Sequence, residues 1–242
     1  MTTVSAERLA AIFVEVADTL GDEFDLTAFL QMLTVRAAGL TDASAVGLML
    51  ADQQGRPELT AGSDVNVHRL QSFQLQYRDG PGLDAFRTGA TVINIDLGAA
   101  GDRWPRFAAR AARAGFGSVH AIPLRLRDQV IGAMSVFWTA TGAGLATHDV
   151  LVLRALADGA TIALLKERAI SRSERLAGQL QGALNSRIVI EQAKGAIAER
   201  NGVPIDEAFQ LLRSYARRNN QRLSELAHTI VNDQKNAPDL YA

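Results

Sequence analysis

Apolar residues recur at steps of three and four along three stretches near the end of the chain. The first carries Leu184, Ile188, Val189, Ala193 and Ile197, the second Ala208, Leu211, Leu212, Tyr215 and Ala216, and the third Leu223, Leu226, Ala227, Ile230 and Val231. Such spacing gathers each set on one side of a helix. Asn201-Gly202 supplies a stop after the first, and the acids Asp206 and Glu207 suit the start of the second, because a helix N-terminus carries a partial positive charge. Each stripe can leave water only against the other two, so the pattern predicts a compact three-helix module.

Upstream the periods mix. Helical spacing covers residues 5–20, with Leu9, Ile12, Phe13 and Val16, and residues 25–38, with Phe29, Leu30, Leu33 and Ala37. Strand patterns follow at 45–50, 59–63, 92–95, 118–126 and 130–138, with helices expected at 67–77 and 83–88. The last two strands are joined by a short turn through Arg127-Asp128, which makes them an antiparallel hairpin. An antiparallel sheet flanked by helices is an α+β architecture, and the hairpin disfavours a doubly wound one. From 149 to 188 the helical pattern hardly breaks, with Leu153, Leu156, Ala160, Ala163, Ile170, Ala177, Leu180 and Leu184 near the steps of a coiled-coil seam. Glu167 and Glu174 interrupt that seam. Its first half suits either a helix packed on the sheet of its own chain or a dimer stalk, and 171–184 suits a helical hairpin or contact with a partner helix. The expected organisation is a sensor or dimerisation domain over 1–165, a helical linker over 166–183 and an output module over 184–242.

Composition narrows the chemistry. The 242 residues include no cysteine, which removes disulfides, thiol catalysis and cysteine-based zinc sites. His68, His120, His148 and His228 lack metal-ligand spacing, and no nucleophile elbow or acid–base constellation is present, so neither a metal, a cofactor nor an enzymatic activity is expected. Gly142-Ala143-Gly144 lacks the third glycine of a dinucleotide loop. The N-terminal residues lack the basic and apolar regions of a signal peptide and no run reaches membrane-spanning length, so a cytoplasmic protein without a membrane partner is expected. A formal net charge of −1 gives no chain-wide attraction to nucleic acid.

The local charge differs. Residues 185–232 hold seven bases and five acids, and Arg213 and Arg217 stand one turn apart, followed by Arg218, Asn219, Asn220, Gln221 and Arg222 without an acid. Guanidinium and amide groups along one edge can hold phosphates and reach base edges. A solvated helix face is the alternative meaning of such a run.

The run from Arg187 to Gly195 containing Gln192-Ala193-Lys194-Gly195, then Ala198-Glu199-Arg200, Asp206-Glu207-Ala208-Phe209-Gln210-Leu211-Leu212-Arg213 and Leu223-Ser224-Glu225-Leu226-Ala227, resembles the ANTAR domain of bacterial RNA-binding antitermination regulators. The resemblance implies a dimeric protein that binds paired RNA hairpins in a leader transcript and suppresses a terminator. It points to Lys194, Gly195, Arg200, Arg213 and Arg222 as RNA-facing positions; the basic edge itself adds Arg217, Arg218 and Asn220. Lysine and arginine here would meet phosphates, giving salt-dependent affinity, and Gly195 would permit close approach. Tyr215 could stack on a loop base, although its period with Leu211 and Leu212 favours the core. A protein-interaction module whose arginines serve only solubility is the competing function.

Residues 9–166 resemble a GAF domain through Gly80-Pro81-Gly82-Leu83-Asp84-Ala85, Arg103-Trp104-Pro105, Gly115-Phe116-Gly117-Ser118-Val119 and Ile131-Gly132-Ala133-Met134-Ser135-Val136-Phe137. That resemblance implies dimerisation or a small-molecule ligand. Relatives of the GAF-plus-ANTAR type often carry a cysteine where this chain has Gly82, and the Asn-Lys-x-x-Phe-Asp-Glu signature of cyclic-nucleotide GAF domains is missing, so no ligand class is favoured. Candidates for a ligand pocket are Phe73, Tyr77, Phe86, Asp96, Arg103, Trp104, Phe107, His120 and Phe137, set against the plainer role of the aromatics as core.

Overall fold

A computed structural model of the chain describes residues 6–18 and 24–232. Residues 5, 19 and 20 of the first expected helix and residues 233–242 of the expected output module lie outside the described residues. The chain divides into two compact units, residues 1–168 and 169–242.

The first unit is built on a five-stranded antiparallel sheet. Its elements are α1 (Ala6–Asp18), α2 (Leu26–Thr41), β1 (Ala45–Ala51), β2 (Pro57–Gly62), α3 (Val65–Tyr77), α4 (Pro81–Thr88), β3 (Val92–Asp96), α5 (Pro105–Arg113), β4 (Ser118–Leu126), β5 (Gln129–Trp138) and the beginning of α6 (Thr147–Asn201). The strand order is β2-β1-β5-β4-β3. Asp25 and Asp64 start α2 and α3 by accepting the exposed amides of Thr27 and Ala28, and of Asn66 and Val67.

Strand alternation sorts the sheet residues into two apolar layers. On one face Val46, Leu48, Leu50, Ile122, Leu124, Met134 and Val136 pack with Phe29, Leu30 and Leu33 of α2 and with Leu153, Leu156, Ala160 and Ala163 of α6. On the other, Ala45, Met49, Val119, Ala121, Ala133 and Phe137 meet Val67 and Leu70 of α3, Leu83 of α4 and Phe107, Ala108 and Ala111 of α5. Leu153, Leu156, Ala160 and Ala163 are therefore sheet-packing residues of their own chain, which decides the first half of the helical run against a dimer stalk.

Helix α5 departs from the sequence expectation, which left residues 105–113 without an element. Pro105 occupies its first turn, where the missing N–H costs nothing, and Phe107, Ala108 and Ala111 form its short buried stripe. Three arginines and four alanines dilute that stripe below what periodicity alone reveals.

The second unit contains the rest of α6, then α7 (Ile205–Arg218) and α8 (Leu223–Asn232). Ala193 and Ile197 of α6, Ala208, Leu212 and Ala216 of α7, and Leu226, Ala227 and Ile230 of α8 form one core, as their spacing predicts. Val189, Leu211, Tyr215 and Leu223 are partly buried against it. Gly202 closes α6 at φ +64°, with the Val203 amide donating to the Ala198 carbonyl at 3.1 Å, the left-handed ending that glycine takes without steric cost.

Every residue from 169 to 185 is exposed, including Ile170, Leu176, Leu180 and Leu184. Gly178 and Gly182 lie in the middle of this stretch with open space where a Cβ would stand. Glycine costs a helix interior roughly 1 kcal/mol relative to alanine. Replacing both by alanine is expected to slow amide exchange across residues 174–186 by about tenfold or more, measured by hydrogen–deuterium exchange, without altering the core of either unit.

Candidate nucleic-acid interface

The end of α7 fixes the first site. Asn219 caps the helix and Asn220 takes the left-handed conformation at φ +48°. The Gln221 amide donates to the Ala216 carbonyl at 2.9 Å and the Asn220 amide to the Arg217 carbonyl at 3.3 Å. These two bonds form a Schellman turn, and asparagine tolerates its left-handed position better than most side chains. The turn leads directly into α8 and so sets Gln221 and Arg222 opposite Arg213 and Arg217, which follow one another by a helical turn on α7.

Together Arg213, Ala216, Arg217, Asn220, Gln221, Arg222 and Leu223 line an open cleft of about 600 Å³. No acid lines it. Arg222 has a loose contact with Glu225 at 3.9 Å, and among the described residues Arg213 and Arg217 make no ion pair. Three guanidinium groups with two carboxamides around a concave surface can take a phosphate by fork-like pairing while the amides meet a polar edge beside it.

The remaining expected RNA-facing residues separate from this cleft. Gly195 is exposed on α6 with room for a side chain, while Arg200 and Arg218 are exposed. Lys194 differs from its sequence expectation as a free phosphate contact. Its Nζ donates to both carboxylate oxygens of Glu191, at 2.8 and 3.0 Å, and lies 5.4 Å from the Phe209 ring centroid, with the side chain only 15% exposed. Glu191 lies three residues back on α6; Phe209 comes from α7, and only the packed module brings it there. Tyr215 is partly buried against the helical core, the role its period favours.

Of the nine expected ligand-pocket residues of the first unit, five share one apolar layer and four stand outside it. Trp104, Phe107 and Phe137 are fully buried in the layer beneath α3, α4 and α5, with Phe73 and Phe86 packed at its margin. Tyr77 is 40% exposed and stacks on Phe73 with ring centroids 4.3 Å apart. Asp96 accepts the Gly98 amide in a short turn, and Arg103 pairs with Asp84 at 3.1 Å, so both serve the surface. His120 falls on the opposite face of the sheet, because its position alternates with Val119 and Ala121 and shares the side of Ile122 and Leu124.

His120 is fully buried. Its Nδ1 lies 3.0 Å from Asn94 Oδ1, and Nε2 has no protein partner. Burial pushes its pKa down to about 4 from the ordinary 6.5, because the charged imidazolium loses its hydration. The fold thus favours neutral histidine; that stabilisation is complete above pH 6.5 and is lost as pH falls towards about 4. Urea unfolding should show stability declining by up to about 3 kcal/mol over that window. In His120→Gln this component of the slope is expected to vanish.

A buried polar cluster on the α3 and α4 side was not anticipated from sequence. Gln74 Oε1 accepts the amides of Gly82 at 2.9 Å and Leu83 at 3.4 Å, which fixes its carboxamide orientation. Gln74 Nε2 consequently donates to Gln71 Oε1 at 2.9 Å, and this leaves Gln71 Nε2 facing away. Gln71 Nε2 and Ser135 Oγ are both buried without a protein partner. A Cβ on Gly82 would stand 2.7 Å from Ser135 Oγ, so the glycine found where relatives often have cysteine leaves the space this cluster uses. Two glutamines one turn apart on a helix otherwise reading as amphipathic were the available signal.

Residues 24–165 match the model of the GAF domain, and residues 178–231 match that of the ANTAR domain. Among solved structures, the GAF domain of an Acinetobacter phosphoenolpyruvate-protein phosphotransferase is 14% identical, with 70% of this chain and 98% of that one covered at a TM-score of 0.50. The GAF domain of the phosphoenolpyruvate-protein phosphotransferase of Coxiella burnetii is 15% identical, with 69% and 99% covered at 0.50. At such identities the likeness establishes the fold alone. No curated protein matches the chain. No helix among the described residues is long and apolar enough to cross a membrane. The five-stranded sheet with its two helical layers and the matched span of residues 24–165 place this chain in the GAF domain family, with an ANTAR domain forming its C-terminal helices.

Proposed function

We propose that the chain is a cytoplasmic, signal-responsive regulator of transcription termination that binds RNA hairpins through its ANTAR domain under control of its GAF domain. The observation that carries this reading is the acid-free cleft in which Arg213, Arg217 and Arg222 stand with Asn220 and Gln221 around a fixed turn. Chain-wide charge supplies no attraction for RNA, so the affinity is local and phosphate-driven. Arg200, Arg218 and Gly195, exposed outside the cleft, extend the surface offered to RNA, and Lys194 supports it by placing its ammonium near the Phe209 ring of α7.

The active species is a homodimer. Its support is the exposed apolar series Ile170, Leu176, Leu180, Leu184 and Ile188 along α6, a row of large side chains that a second copy of the same helix would take out of water. Pairing there would present two ANTAR modules to two hairpins. A small ligand of the GAF domain would act by favouring one arrangement of this helix, which requires different affinities for the two arrangements. The orphaned Gln71 amide and Ser135 hydroxyl are the groups that support such a ligand, one bearing a hydrogen-bond acceptor.

A gel-shift titration with a tandem-hairpin leader RNA at several salt concentrations tests the reading. Salt-sensitive retention that favours paired hairpins over single-stranded RNA is expected. Absence of RNA retention, together with capture of a partner protein that persists after nuclease treatment, would replace it by a protein-interaction module.

A further inference from the structure

Helix α5 carries a second concentration of charge, in the GAF unit, that the proposed function does not use. Residues 1–168 contain fifteen lysines and arginines against eighteen aspartates and glutamates, yet residues 103–113 contain four arginines and no acid. Arg106, Arg110 and Arg113 are spaced by four and three, which brings them within one narrow arc of the helix. Phe107, Ala108 and Ala111 are buried on the opposite side, so the three arginines are directed at water, and all are exposed. Arg103 precedes the helix and is partly neutralised by Asp84.

Helix stability accounts for only part of this row. Arg110 and Arg113 lie in the last turn, where a cation is favourable. Arg106 lies in the first turn, where a cation faces the positive end of the helix, and no acid occupies that turn. Asp79 reaches across from the end of α3 to accept the Arg106 and Phe107 amides at 2.9 and 3.0 Å, which relieves the helix end. The Arg106 guanidinium lies 5.4 Å from the exposed Tyr77 ring, which holds it in place beside an aromatic face. Like charges at these spacings repel one another by a few tenths of a kcal/mol per pair. The row thus carries a mutual repulsion that a polyanion would relieve.

We infer that the Arg106, Arg110 and Arg113 row, with Tyr77 at its end, is a second RNA-binding surface, engaging the phosphodiester backbone without reading sequence. The choice of RNA as the polyanion rests on the proposed function of the C-terminal module. Protein partners are disfavoured by the composition of the face: only Ala109 and Ala112 separate the arginines, and α5 exposes no large apolar side chain to anchor an interface core. Three planar cations beside an exposed aromatic ring suit a phosphate chain with stacked bases instead.

Filter binding of the full chain to a tandem-hairpin RNA and to a single-stranded RNA of equal length, over a range of salt, tests the surface. The variant Arg106→Gln/Arg110→Gln/Arg113→Gln is expected to weaken binding of both RNAs by about tenfold and to reduce the steepness of log K against log salt by about two. Because the side chains are exposed, its thermal midpoint should match that of the parent. Arg125→Gln/Arg127→Gln, removing two exposed arginines near the β4–β5 turn, should change the slope by less than half as much. An unchanged slope in the triple variant, an equal loss in the control, or displacement of RNA from the row by poly-glutamate as effectively as by unlabelled RNA would overturn the inference. Loss of hairpin preference in Arg213→Gln/Arg217→Gln/Arg222→Gln reports on the cleft separately, so a silent α5 variant beside a defective cleft variant rejects only the second surface. The reverse pattern rejects only the cleft, and no RNA binding by the parent chain rejects both.

Discussion

Replacing Arg213, Arg217 and Arg222 together by glutamine is expected to weaken binding of a tandem-hairpin RNA by roughly 100-fold near 100 mM salt and to flatten its salt dependence by between two and three units. The magnitude follows from three solvent-accessible charge-assisted contacts, each contributing about 1 kcal/mol. These arginines line the cleft without burying into the helical core, which is made by Ala208, Leu212, Ala216, Leu226, Ala227 and Ile230. Circular dichroism should therefore show unchanged helicity and melting. Glutamine keeps a polar side chain while removing the guanidinium, so any loss reports charge, reach and fork geometry. Lys194 makes the instructive contrast. Its ammonium is already paired with Glu191 and placed against Phe209, so removing it should lower stability of the module before it alters the salt slope.

Leu180→Glu/Leu184→Glu is expected to convert the proposed homodimer to monomer in sedimentation equilibrium and to reduce affinity for tandem-hairpin RNA by about 100-fold, while affinity for a single hairpin stays within threefold. Leu180 and Leu184 are exposed within their own chain, so their replacement costs that chain almost nothing. Two glutamates one turn apart on each of two facing helices would set four carboxylates along a seam that depends on apolar contact. Linked binding raises avidity by two to four orders of magnitude when both sites can be engaged, and the variant removes that gain without touching the arginines. A variant that stays dimeric would move the interface away from this stretch of α6.

Much of the fold follows from period alone, because strands with two covered faces and helices with one apolar stripe leave different marks. The β4–β5 hairpin follows that rule, and of the three C-terminal stripes Ala193, Leu212 and Leu226 are buried as their spacing requires, while Leu184 and Ile188 at the start of the first stay exposed because α7 and α8 do not cover them. Helix α5 escapes it because alanine marks a buried face as weakly as an exposed one. The seam of α6 shows the other limit. Leu156 and Leu180 carry the same pattern, yet the first meets the sheet and the second meets water, a difference set by where the sheet ends. Charge placed Arg213, Arg217, Asn220 and Arg222 on one edge; what spacing could not supply is the left-handed turn at Asn220 that curves the edge into a cleft. His120 lies across the sheet from the aromatics because parity along β4 sets it beside Ile122 and Leu124, and that parity becomes decisive only when both faces are covered. The cluster of Gln71, Gln74 and Ser135 needed the fold outright, since it joins α3, α4 and β5.

Ultraviolet crosslinking of the chain to RNA in cells, followed by sequencing of the RNA and mass spectrometry of the crosslinked peptides, tests RNA binding through the cleft most directly. Crosslinked peptides spanning residues 213–223 and recovered transcripts enriched in paired hairpins ahead of terminators are the predicted result. Crosslinks absent from that segment, or RNA recovered no more than from a chain lacking the three cleft arginines, would contradict it.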